Sequence, residues 1–216
     1  FHTTVRPEQV YCEGISRLGE PDFRYAKELG YEIKLLAIAK QAGGVVEARA
    51  HPVFIPEDFL LAKVSGVYNA IQVEGDLVGK LIFYGRGAGA QPTSSAVVSD
   101  VIAIGQSIAS GKKVPSVMRR TQVKPVRPIA EVQTKYYLRM SIADRPGVLA
   151  QIAKILGDRS ISIASVIQKE TDAATQTAMI VIMTHPAREE FMQQALAEMR
   201  AVSAVAEICN LIRVEE

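Results

Sequence analysis

ADRPGVLAQIAKIL, residues 143–156, is the stretch on which the reading of the chain's second half turns. Just before it, Tyr136, Leu138, Met140 and Ile142 alternate with Tyr137, Arg139 and Ser141, the pattern of a half-buried strand. Within it, Val148, Leu149, Ile152, Ile155 and Leu156 recur at helical spacing until Gly157. Asp144 is placed to cap that helix, and Pro146 suits its first turn. Residues 161–169 and 177–183 then read as strands joined across 171–175. Thr184 and Pro186 open a second helix with Phe191, Met192, Ala195, Leu196 and Met199 on one side, and residues 205–214 close the set as a strand. The order is βαββαβ, the ferredoxin-like motif.

Upstream, residues 112–134 change character. Pro115, Pro125 and Pro128 break regular structure, while Lys112, Lys113, Arg119, Arg120, Lys124 and Arg127 make the segment basic. Without aromatic interleaving this reads as a solvated linker rather than a nucleic-acid surface. The expected division is therefore 1–111, a linker at 112–134, and 135–216. The first block is read as α+β with a mixed sheet. It has a short strand at 10–12, a helix at 21–29 stopped by Gly30, and a strand at 32–40 buried on both faces. A strand at 45–56 follows the Gly43-Gly44 turn. A short helix at 56–62, with Phe59 and Leu60 facing inward, precedes strands at 67–73 and 77–84.

The last of these strands runs into LIFYGRGAGAQPTSSAVVSDV, residues 81–101. Gly85, Gly87 and Gly89 fall at alternate positions, and Pro92, Thr93 and Ser94 open an apolar-striped helix. Strand, glycine loop and helix start form a geometry suited to an anion, because free N–H groups and the positive helix end converge there. Gly85, Gly87 and Ala90 also fit G-x-G-x-x-A, but that fingerprint needs a second strand ending in an acidic residue roughly 20 residues on. Gly105, Gln106 and Ser107 stand there instead, so a self-contained dinucleotide domain is excluded and a glycine turn made for packing stays open.

Composition narrows the classes further. A chain of 216 residues, nearly half apolar, with a net charge of +2, has material for a core and no dedicated nucleic-acid surface. No apolar run reaches the roughly 20 residues that span a bilayer, and no signal peptide is present. Cys12 and Cys209 lack metal spacing and read as buried thiols of a cytoplasmic protein. His51 and His185 are single, each beside a proline, and Lys34, Lys40 and Lys80 resemble surface lysines. No metal site is expected.

The wording YGRGAGAQPTSSAVVSD, with VYNAIQVEGDLVGKL before it and VYCEGIS near the start, closely resembles the C-terminal half of homoserine dehydrogenase. ADRPGVLAQIAKIL in its βαββαβ setting resembles an ACT domain. The resemblance implies NAD(P)-dependent interconversion of aspartate semialdehyde and homoserine by the intact enzyme. It implies cofactor contact at Gly85, Gly87 and Gly89, and feedback by L-threonine. The effector would lie at the first strand-to-helix turn, against Asp144, Gly147 and Val148, with Gln168 as a partner-pocket residue. It also implies a homo-oligomer formed through the substrate-domain sheet and paired ACT domains. The family's catalytic residues lie upstream of the VYCEGIS-like strand, so this chain, which opens at Phe1 like a fragment, is expected to be inactive and to hold no cofactor alone. A free-standing amino-acid-sensing module is the alternative.

Overall fold

The computed structural model describes residues 1, 3–111, 123–172 and 174–216, without the side chains of residues 170 and 172. His2 and the basic run at 112–120 fall outside the described residues. Contacts divide the chain into two compact units, one made of 1 and 3–57 with 123–216, the other of 58–111.

In chain order the elements are β1 (Tyr11–Cys12), α1 (Glu20–Glu28), β2 (Tyr31–Ala42), β3 (Val45–Pro56), β4 (Tyr68–Gly75), β5 (Gly79–Arg86) and α2 (Ala90–Ala109). Then come β6 (Gln133–Ala143), α3 (Val148–Asp158), β7 (Ile163–Asp172), β8 (Thr177–Thr184), β9 (Ala187–Arg188), α4 (Glu189–Arg200) and β10 (Val205–Val214). The larger unit is organised by one sheet of order β1-β3-β10-β6-β8-β7, with β2 on β3 and β9 on β6. Its β10-β6-β8-β7 half, with α3 and α4, is the ferredoxin-like arrangement expected from the alternation, all antiparallel. On one face, Leu138, Met140, Ile180 and Ile182 meet Ile152, Leu156, Leu196 and Met199 of the two helices.

The other face of that half-sheet is covered as well. Tyr25 and Ala26 of α1 close over Phe54, Tyr137, Val181 and Ile212. β6 is thus buried on both faces rather than half-buried, and Arg139, which alternation assigns to solvent, is 7% exposed. The strand expected to be buried on both faces, β2, is not. β3 is buried along most of its length, whereas β2 has no buried residue, with Leu35 61% exposed. The reason is position. β2 is hydrogen-bonded to β3 along its whole length, so the opposite edge of β3 takes Val126, β1 and β10 in turn.

In the smaller unit β4 and β5 form an antiparallel hairpin, followed by α2. The helix expected at 56–62 is only a 3-10 turn, Leu60–Lys63, and Leu60 faces outward at 68% exposed. Of the two cysteines, Cys12 is exposed and Cys209 half-buried, so neither is the fully buried thiol expected. None of the described helices is long and apolar enough to cross a membrane.

Candidate functional site

Two places carry the residues singled out in the sequence, and each is described within its own unit. In the larger unit, β6 ends at a turn clamped by backbone bonds. Ala143 N–H donates to Ala204 O at 2.8 Å, and Asp144 N–H to Gln176 O at 2.9 Å. α3 starts later than Pro146 suggested. Its N-cap is Gly147 with φ 90°, a left-handed conformation that costs glycine little. Asp144 therefore does not cap the helix; its side chain is exposed at the turn. No side chain caps α3, which leaves its first N–H groups without intrahelical partners, directed at whatever occupies the turn.

A concavity of about 350 Å³ lies against this turn, and Asp144, Gly147, Val148 and Gln168 all line it. Gln168 comes from β7, paired with Ile180 of β8, so residues on either side of α3 meet there. Val148 is buried while Asp144, Gly147 and Gln168 are exposed. Leu149, expected on the core stripe, is 37% exposed and lines the concavity too. Chemically the place offers N–H donors for a carboxylate, one carboxylate for an ammonium group, and an amide for a third polar contact.

In the smaller unit the glycines differ from one another. Gly85 lies in β5 opposite Asn69, and an added Cβ would meet nothing within 4 Å. Gly87 donates its N–H to Val67 O at 2.9 Å, and a Cβ there would fall 1.5 Å from Asn69 Nδ2. Gly89 is the N-cap of α2 at φ 126°, a backbone state that side chains rarely tolerate. α2 begins at Ala90, two residues before the expected Pro92, and no side chain caps it. The start of α2 thus fits an anionic group, while at Gly87 the exposed Asn69 side chain occupies the space a Cβ would take.

Sequence reading missed the buried charge. Arg213 binds Glu189 through two bonds, at 2.8 and 2.5 Å, and Glu13 at 2.8 Å, while its guanidinium lies 4.9 Å from the Tyr11 ring centre. Tyr136 hydroxyl donates to the same Glu189 at 2.9 Å. Burial would raise the Glu189 carboxyl, but Arg213 outweighs it and holds the carboxyl below the usual range. Arg49 bonds Glu47, His51 and Glu215. Arg49 can only donate, so His51 Nε2 accepts and Nδ1–H donates to Pro52 O at 3.0 Å. Burial pushes His51 down, and the nearby Arg213 and Arg49 add to this. Glu47, Arg49 and His51 share one strand face by alternation, whereas the counter-charges Glu13, Glu189 and Glu215 lie far off in sequence and leave no periodic trace.

A homoserine dehydrogenase family model matches residues 1–102, and an ACT domain model matches residues 136–204. A homoserine dehydrogenase of Neisseria gonorrhoeae is 42% identical across 100% of this chain, which corresponds to 50% of the relative. Over its whole length the chain resembles the C-terminal half of homoserine dehydrogenases. The homoserine dehydrogenase of Pseudomonas aeruginosa is 39% identical, with 100% of this chain matched to 51% of its length. The crystal structure of a homoserine dehydrogenase from Thiobacillus denitrificans superposes with a TM-score of 0.89 at 42% identity, covering 100% of this chain and 50% of that one. The Staphylococcus aureus homoserine dehydrogenase at pH 7.0 gives 0.63 at 26% identity, covering 99% and 49%. The chain spans about half the length of the relatives it matches, their C-terminal part. Homoserine dehydrogenases are oxidoreductases of amino-acid biosynthesis that use NAD(P).

Proposed function

We propose that this chain is the distal substrate domain and the ACT regulatory domain of an NAD(P)-dependent homoserine dehydrogenase, working in the cytoplasm. The parts are residues 1–111, a linker at 112–134 and residues 135–216. The parent interconverts L-aspartate 4-semialdehyde and L-homoserine, and L-threonine binds the turn concavity and lowers that activity. The carrying observation is the convergence of Asp144, Gly147, Val148 and Gln168 on one concavity at an uncapped helix start. There the α3 N–H groups take the effector's carboxylate, Asp144 takes its ammonium, and the Gln168 amide reaches its hydroxyl. At the other site the uncapped start of α2, opened by Gly85, Gly87 and Gly89, lies against an anionic part of the cofactor. The cofactor itself supplies the hydride chemistry.

Two surfaces suit a homo-oligomer. Ile71, Val73, Leu81 and Phe83 share one face of the β4–β5 hairpin and are all exposed, which favours pairing through this substrate-domain sheet. β7 closes the order of the larger sheet, and its free edge favours edge-to-edge ACT pairing. The reading has this chain inactive on its own. The test is NAD(P)⁺-dependent oxidation of L-homoserine by the parent protein and by this chain. The reading expects turnover inhibited by L-threonine in the parent and none in the chain. Turnover by the chain alone, or a parent indifferent to L-threonine, contradicts it.

A further inference from the structure

We infer that Asp22 is a latch that makes helix α1 and strand β6 open and shift as one body, so that a change at the β6 turn is delivered to α1. Only the ligand arm of the test rests on the proposed amino-acid site.

The latch is dense. Asp22 is fully buried on α1 and accepts five bonds. Arg139 Nε and Tyr137 hydroxyl reach Oδ1 at 2.7 and 3.0 Å. Arg139 Nη2, Asn210 Nδ2 and Gly19 N–H reach Oδ2 at 3.1, 2.9 and 2.9 Å. Tyr137 and Arg139 belong to β6 and Asn210 to β10, so one carboxylate joins a helix to two neighbouring strands of the sheet. Such a site has no half-open state of low energy. Partial separation would leave a buried carboxylate and a buried guanidinium unsatisfied together, so the contact is made or broken as a whole.

The same strands wall the turn concavity. β6 ends in Ile142 and Ala143, which line it, and β7 brings Gln168. β6 is hydrogen-bonded to β10 on one side and β8 on the other, which stiffens it along its length. Next to Gln168, Lys169 forms an ion pair with Glu28, at the end of α1. Ile167 packs into the cluster that holds Tyr25 and Ala26. Both walls of the concavity therefore converge on one short helix that does not itself line it.

Hydrogen exchange on the full chain tests the latch. In the unaltered chain the amides of residues 25–28 and of residues 137–142 exchange through one shared opening. Asp22→Asn speeds exchange in α1 by roughly 100-fold or more, with the β4–β5 hairpin changed less than about threefold. Tyr137→Phe removes one donor and is the variant that decides if Asp22→Asn does not fold. It speeds α1 by roughly tenfold. With L-threonine added, protection rises at both β6 and α1 in the unaltered chain. In Tyr137→Phe the heat of binding persists but the added protection stops at β6, which a merely stabilising hydroxyl would not produce. Exchange in α1 that is separate from β6 in the unaltered chain, or indifferent to both substitutions, overturns the latch. So does ligand protection that still reaches α1 in Tyr137→Phe. Absence of heat in the unaltered chain refutes the threonine site alone, and the shared opening then decides the latch.

Discussion

The two compact units solve opposite problems. The larger one takes charged groups inside: Asp22, Arg49, Arg139, Glu189 and Arg213 are each at most 7% exposed and each is paired. The smaller one leaves apolar groups outside, with Ile71, Phe83, Val101 and Ile108 all more than half exposed and no buried residue on α2. Buried charge is tolerated only where its partners are already fixed, so the first unit is closed by its own residues. An uncovered apolar hairpin and helix have the character of contact surface. The difference teaches how each unit meets its surroundings: the larger one completes its packing with buried ion pairs and still carries the turn concavity, while exposed apolar surface dominates the smaller one.

The strongest way to break that contrast is Arg213→Met. It strands Glu189 without its cation, and urea unfolding should show a loss of about 3–5 kcal/mol. A change under about 1 kcal/mol would mean the pair contributes little. Gly87→Ala comes next. Its Cβ would fall on the tip of the exposed Asn69 side chain, which can swing into solvent, so a destabilisation of no more than about 1 kcal/mol is expected from the thermal unfolding of residues 58–111.

A smaller effect is expected with pH. His51 titrates lower in the folded chain than in the unfolded one, so the unfolded state binds its proton first and stability falls as pH drops below about 6.5. Asp22, Glu189 and Glu215 also have lowered values, and their contributions are lost in a more acid window, as pH falls below about 4. In His51→Gln, denaturant midpoints should stop changing between pH 7 and 5. A slope equal to that of the unaltered chain would remove His51 from the account. Least of all, Ile104→Asp on α2 should alter the stability of this chain by no more than about 0.5 kcal/mol, since Ile104 is already exposed.

The ACT half was legible because its alternations are long and its helices carry clear stripes; Met192, Ala195, Leu196 and Met199 are buried as their spacing requires. What escaped depends on contacts distant in sequence. Arg139 alternates like a solvent residue, and only Asp22, 117 positions away, makes its burial possible. β2 carries an apolar run at 35–39, yet β3 is the buried strand because it has neighbours along both edges. Asp144 and Gly147 were visible as a turn, whereas the arrival of Gln168 beside them required the β7–β8 pairing. Among the glycines, spacing alone could not single out Gly89, which is fixed by its own backbone angle.

The amino-acid site at the turn is tested most directly by titrating the full chain with L-threonine in a calorimeter, beside Asp144→Ala. One saturable site per chain is predicted, weakened by about tenfold or more when the carboxylate is removed. Absence of heat at millimolar L-threonine, or binding indifferent to Asp144→Ala, would contradict it.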